Sequence, residues 1–233
     1  MIFEYYNPVK LWFGPGQLAR VGEAARQYGN RALIVTSGSS ARTGVLEKAI
    51  ASLKAVGLDY AVYDKVRPNP LIAMVEEAAN LALSRGCEVV IGIGGGSAMD
   101  TAKGAAFAAV NGGDFAEYFY GKPGTGALPI ILVTTTAGTG SEGNSIAVFT
   151  NQANNDKKGL KSPYLYPKIS IVDPEVFVTV PPRTIAAAGM DALFHAIEAY
   201  ISQRHNFYSD MLALRAISLL AQYLPRVYAQ PQD

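Results

Sequence analysis

Cysteine occurs once in this chain of 233 residues, at Cys87, and histidine only twice, at His195 and His205. A single thiol forms no intrachain disulfide and excludes a cysteine-rich zinc site. An excess of charge of one sign is also missing. The 20 Lys and Arg nearly balance the 19 Asp and Glu, leaving a net charge of +1. The chain therefore has no general attraction for nucleic acid or an anionic membrane, and any phosphate must be held locally by a shaped site. Long hydrophobic runs are absent too. The opening MIFEYYNPVK carries no secretory signal, and glycine or polar residues break every apolar stretch short of a membrane span. The expectation is a soluble, cytoplasmic protein that binds neither nucleic acid nor membrane. There is no internal repeat.

What is present is core-forming material. Hydrophobic residues make up 49% and charged residues 17%, enough for a large domain or for one domain and part of another. Short apolar runs at 9–13, 31–36, 59–63, 88–93, 129–133 and 169–172 read as strands. They alternate with helical patterns over 18–28, 43–56, 71–85 and 98–110. The run RALIVT at 31–36 is apolar throughout, as in a strand buried on both faces. Alternation of this kind predicts an α/β fold with a mostly parallel sheet. Beyond Pro181-Pro182 only helical patterns remain. One spans 184–202, with an interruption expected near Gly189; the other spans 209–223, with Ser209 as its N-cap. A domain boundary is placed at residue 180, giving domains 1–180 and 181–233. The polar segment 151–159 (NQANNDKKG) reads as an exposed loop.

Three segments carry chemistry. In VVIGIGGGSAMDTAK, from Val89, a buried strand runs into Gly94, Gly95, Gly96 and Ser97, and a helix starts at once. Glycines let backbone approach a ligand closely, and the first N–H groups of a helix lack internal partners, so the turn suits a pyrophosphate. Asp100, one turn further, either caps N–H groups or orients the loop. A tight turn with no ligand is the alternative reading. In PIILVTTTAGTGSE, from Pro129, a second strand ends in hydroxyls at Thr134, Thr135, Thr136, Thr139 and Ser141. Loops at strand carboxyl ends are where open α/β sheets bind ligands, although Ser, Thr and Gly also favour turns as such. In GMDALFHAIEAY, from Gly189, Asp191 and His195 stand four apart, on one helix face. The pair can share a divalent metal, or simply bond to each other. His205 reads as a solvated loop residue.

Together the segments resemble the signatures of iron-type (group III) alcohol dehydrogenases, in order: GGGSxxDxAK at 94–103, TxAGTxSE at 135–142 and GxDALxH at 189–195. The resemblance runs over essentially the whole chain. It implies a nucleotide-binding α/β domain followed by the start of an all-helical, dehydroquinate synthase-like domain. Gly94, Gly95, Gly96 and Ser97 would hold the cofactor pyrophosphate, and Asp100 is counted among the cofactor-binding residues. Thr135, Thr136 and Thr139 would line the nicotinamide pocket. Lys157 or Lys158 would be the family's cofactor-contacting lysine. Asp191 and His195 would be two of four ligands to Fe2+, or to Zn2+, a Lewis acid on the substrate oxygen during hydride exchange between a primary alcohol and NAD or NADP. After residue 36, Ser37, Ser39 and Ser40 stand where NAD-preferring relatives place a carboxylate. With Arg42 nearby, NADP is favoured.

The family's other two ligand histidines lie in later helices, beyond residue 233. The expectation is that these 233 residues bind nucleotide but turn over alcohol poorly. Uncovered apolar helix faces should then drive homo-oligomerisation. Two alternatives are a glycerol dehydrogenase-like zinc enzyme and a nucleotide-binding module without catalysis.

Overall fold

The computed structural model describes residues 2–230. Its strands are β1 (Lys10–Phe13), β2 (Arg31–Thr36), β3 (Asp59–Tyr63), β4 (Val89–Gly94), β5 (Ile130–Thr134), β6 (Ile146–Asn151), β7 (Asp156–Lys161) and β8 (Ile169–Val172). Six of them form one sheet in the order β1-β8-β5-β4-β2-β3, every neighbouring pair parallel. The fold is α/β, as the alternating pattern requires.

The helices are α1 (Val21–Arg26), α2 (Gly38–Arg42), α3 (Val45–Ala55), α4 (Ile72–Ser84), α5 (Gly96–Asn111), α6 (Phe115–Phe119), α7 (Pro182–Ile201) and α8 (Phe207–Ala229). Period-two alternation divides the central strands between two cores. Ala32 and Ile34 of β2 pack with Val21, Ala24, Ala49 and Leu53 on one face. Leu33 and Val35 pack with Ala78, Ala82, Met99 and Ala102 on the other. A third cluster joins Phe107 and Phe115 to Phe149 and Leu160 of β6 and β7.

The chain leaves β2 outward to β3, then returns to lay β4 on the other side of β2. The switch in direction opens a crevice at the carboxyl ends of β2 and β4, the place where such sheets bind ligands. The segments after these strands begin with Ser37 and Gly95.

Several elements differ from expectation. Residues 151–159 are not a loop but the end of an antiparallel hairpin, with Asn151 paired to Asp156 and Thr150 to Lys157. Its polar residues reflect exposure, not irregular backbone. The helix expected over 18–28 begins as a 3-10 turn at Gln17–Arg20. The helix α7 runs through Gly189 without a break; the glycine serves packing, since a Cβ there would lie 2.3 Å from Leu224 of α8. The missing side chain is what lets the two helices close on each other. The N-cap of α8 is Asn206, not Ser209. Asn206 Oδ1 accepts from the backbone N–H of Tyr208 and Ser209, while Ser209 Oγ accepts from the Asn206 N–H, completing a capping box. α8 also continues past Tyr223 through Pro225.

Candidate functional site

The glycine turn and the threonine loop are built against each other. A Cβ on Gly95 would come within 3.0 Å of Thr136 Oγ1, and one on Gly96 within 2.7 Å of Thr139 Cγ2. A side chain at either position would have to displace a threonine of the loop, so the close approach here suits glycine. The Thr135 N–H donates to the Gly94 carbonyl at 3.0 Å, fastening the base of the loop to the end of β4. On its far side the loop meets α7, where a Cβ on Gly138 would stand 2.8 Å from the Ala188 carbonyl oxygen.

Between these walls lies a cleft of about 830 Å³. Ser37, Gly95, Gly96, Ser97, Thr136, Thr139 and Asp191 all line it. The opening N–H groups of α5, a helix of 16 residues, face a space where an anion would be stabilised by unpaired donors and by the helix dipole. Residues from all three sequence segments thus converge on one space.

Not every predicted residue does. Asp100 is buried, and both its oxygens are taken: Oδ1 accepts from Ser141 Oγ at 2.7 Å and Oδ2 from the Val148 N–H at 2.9 Å. Burial pushes its pKa up, against the pull of those two bonds. It orients the loop from behind and does not line the cleft. Ser40 is also buried, its hydroxyl directed at the Ile93 carbonyl at 3.4 Å, which removes it from the ligand surface. Ser39 is exposed and its hydroxyl lies 2.7 Å from that of Ser37. Thr135 is half-buried at the loop base and Gly94 is buried in the strand. The two lysines diverge. Lys157 Nζ donates to Asn69 Oδ1 at 2.8 Å, beside the cleft residues Arg67 and Pro68. Lys158 instead pairs with Asp156 at 2.7 Å and lies over the Tyr120 ring.

Asp191 and His195 do share a face of α7, Nε2 of His195 lying 3.7 Å from Asp191 Oδ1. That is too long for a hydrogen bond. Both side chains are about half exposed, at 44% and 53%. Carboxylate and imidazole fit a divalent metal as two adjacent ligands, but among the described residues no group of three or more candidate ligands comes together. His205 lies in the loop before α8, paired with Asp210 at 2.9 Å.

Two cleft residues and one buried residue behind the cleft escaped sequence reasoning. Arg67 and Arg183 both line it. Arg183 lies eight residues before Asp191, a helical spacing that could have placed it on that face; nothing local marks Arg67. Lys103, in the middle of α5, is fully buried. Its Nζ donates to the carbonyls of Asn144 (2.9 Å) and Ile146 (2.8 Å) and to Asn144 Oδ1 (3.2 Å). Burial brings its pKa down to about 8, with Asp100 and Glu142 pulling the other way. Glu142, whose buried Oε2 has no partner, has its pKa raised by burial.

Comparison with known proteins gives the family. Residues 8–174 match the family model for iron-containing alcohol dehydrogenase, and residues 185–233 match the model for the C-terminal part of the same family. The chain belongs to the iron-containing alcohol dehydrogenase family. It is 37% identical over 234 residues to the NAD-dependent methanol dehydrogenase of Bacillus methanolicus, covering 98% of this chain and 61% of that one. Its fold superposes on the NADH-dependent butanol dehydrogenase A of Thermotoga maritima with a TM-score of 0.94 at 35% identity, covering 100% of this chain and 59% of that one. The sulfoacetaldehyde reductase of Bifidobacterium kashiwanohense, solved with NAD+, gives 0.94 at 34%, covering 100% and 62%. The chain thus spans about three-fifths of the length of these iron-type relatives.

Proposed function

We propose that this chain forms the dinucleotide-binding part and the first metal-bearing helix of an oxidoreductase that interconverts a primary alcohol and its aldehyde with NAD or NADP. One observation carries the reading. The glycine turn, the threonine loop and Asp191 line a single cleft, at the switch point of a parallel sheet.

In this reading the N–H groups at the start of α5 and the Ser97 hydroxyl hold the pyrophosphate. Thr136 and Thr139 wall the space between the glycine turn and α7. Lys157 is the cofactor-side lysine, supported by its bond to Asn69 at the cleft rim; Lys158 is turned away. Arg67 and Arg183 add positive charge to the cleft. A divalent metal held by Asp191 and His195, iron by family, would supply Lewis acidity to the substrate oxygen while the nicotinamide exchanges hydride. The chain's own part is to keep the two reactants on facing walls.

A preference for the 2′-phosphate of NADP is supported by Arg67, which lines the cleft together with Ser37. Arg42, the arginine favoured from sequence, does not. We infer further that the domain boundary lies near residue 180, where α7 begins at Pro182, and that the working location is the cytoplasm. Among the described residues no helix is long and apolar enough to cross a membrane. We also infer self-association through α7 and α8, which leave Phe194, Ile201, Phe207 and Met211 exposed. Light scattering should give a mass above that of one chain.

The test is a titration of the 233-residue chain with NADPH and NADH, repeated with Fe2+ or Zn2+ present. Dinucleotide binding is expected, tighter for NADPH, with metal held weakly by two protein ligands. No binding of either dinucleotide would overturn the reading. Tight dinucleotide binding that no metal alters would favour the alternative, a nucleotide-binding module without catalysis.

A further inference from the structure

Behind the cleft lies a charged group that the chemistry above leaves unused. Lys103 is 0% exposed, and an ammonium is costly to bury unless its donors are satisfied. Here they are. All three of its acceptors belong to one short stretch, Asn144 and Ile146, at the downstream end of the threonine loop. Asn144 is held in turn. Its Nδ2 donates to the Gly140 carbonyl at 2.9 Å, and its Oδ1 also accepts from the Ile146 N–H at 2.8 Å. Asn144 therefore connects the Lys103 ammonium to the chain at Gly140, the residue after Thr139.

The upstream end of the same loop carries Thr136 and Thr139, whose side chains lie within 3.0 Å of where a Cβ on Gly95 or Gly96 would stand. Lys103 itself does not line the cleft. It lies on α5, the helix whose first turn forms the cradle. One helix thus supplies the cradle at its N-terminus and, two turns later, the anchor for the loop that covers that cradle.

We propose that Lys103 is a positioning residue whose bonds to Asn144 and Ile146 set the height of the Thr136–Thr139 turn over the glycine cradle, and so the affinity of the cleft for a dinucleotide. The proposal rests on the dinucleotide reading of the cleft. The Asp100 carboxylate fastens the loop at Ser141 and β6 at Val148, so the anchoring is shared, and loss of Lys103 loosens the loop without releasing it.

The test uses the full 233-residue chain and NADH and NADPH fluorescence titrations. Lys103→Met should weaken both dinucleotides about tenfold while far-UV circular dichroism stays unchanged. Leu53→Ala, in the core on the opposite face of the sheet, serves as the control. It should lower Tm and leave both affinities within about twofold, since additive effects are expected for distant sites. Lys103→Ala should regain affinity when propylamine is added, whereas the wild type and Leu53→Ala should not respond. If Lys103→Met does not fold, Asn144→Ala takes its place, with a smaller loss in the same direction, about threefold weaker binding, and wild-type affinity in folded Asn144→Ala then overturns the proposal. A folded Lys103→Met with wild-type affinity overturns the proposal. So does a loss of affinity that the amine does not repair and that Leu53→Ala reproduces. A wild-type chain that binds neither dinucleotide removes the underlying functional reading instead.

Discussion

The two sides of the cleft are built to different standards. On the α/β side, the cradle is held by close glycine contacts and buried hydrogen bonds: Gly95 against Thr136, Gly96 against Thr139, Asp100 to Ser141, Lys103 to Asn144. On the helical side, Asp191 and His195 stand half exposed, 3.7 Å apart, without a bond between them. The first arrangement is set before any ligand arrives. The second has two groups of the right kind on the right face but no further ligand among the described residues. With a closely packed glycine side and an open Asp191–His195 side, dinucleotide and metal should be only weakly coupled on this chain.

The largest effect should come from crowding the cradle. At Gly96 a Cβ already falls 2.7 Å from Thr139 Cγ2. Alanine could be absorbed by a turn of the exposed Thr139 side chain. Valine adds two methyl groups beyond that Cβ, more than a turn of one threonine can accommodate. Gly96→Val should weaken dinucleotide binding about a hundredfold, roughly 2.8 kcal/mol. Divalent metal affinity should not move, since Asp191 and His195 lie on another helix. Titration calorimetry with each ligand in turn checks both halves of the statement, and a parallel loss of metal binding would mean the two sides are not independent.

The three segments that meet at the cleft were readable in advance, because their signals are local. Triple glycine after a buried strand, hydroxyls after the next strand and an Asp–His pair at helical spacing each lie within about a dozen residues. So were the six parallel strands, whose apolar runs need no partner to be recognised. What could not be read depends on chain brought in from far away. Lys103 resembles an ordinary helix-surface lysine until the segment 144–146, some forty positions later, closes over it. Ser40 looked like a ligand contact beside Ser37 and Ser39. It is instead turned inward by α2, a helix of five residues too short to leave a periodic pattern. The end of the β6–β7 hairpin was polar enough to pass for a loop. Gly189 read as a helix breaker because Leu224, the neighbour that needs it, is on another helix.

A middle-sized effect should appear in the pH dependence of stability. The folded state lowers the Lys103 pKa from 10.5 to about 8, chiefly by burial. Between those values the unfolded chain binds the proton more than the folded one does, so this group makes stability rise with pH. The charged amine's burial penalty is present in full below pH 8 and is relieved as pH climbs towards 10.5. Urea unfolding of wild type and Lys103→Met isolates the effect. The wild type should gain about 1 kcal/mol relative to the variant between pH 7 and 9. A difference that stays flat over this range would mean that the ammonium is better solvated than its burial indicates.

The smallest effect tests whether the two sides sense each other at all. Asp191 lines the same cleft as Gly95, Gly96 and Ser97. Its carboxylate therefore opposes an anionic pyrophosphate, weakly, because it is 44% exposed and solvent screens it. Asp191→Asn removes that charge at nearly constant shape, and dinucleotide binding should tighten about twofold. A divalent cation at Asp191 and His195 would neutralise the same carboxylate. Adding Zn2+ to the wild type should reproduce the gain, and adding it to Asp191→Asn should give none. Dinucleotide affinity would then be coupled to metal by one shared charge, with no movement of either wall required. A cation effect of equal size in both proteins would instead trace to metal binding by the dinucleotide itself, leaving the two sides uncoupled.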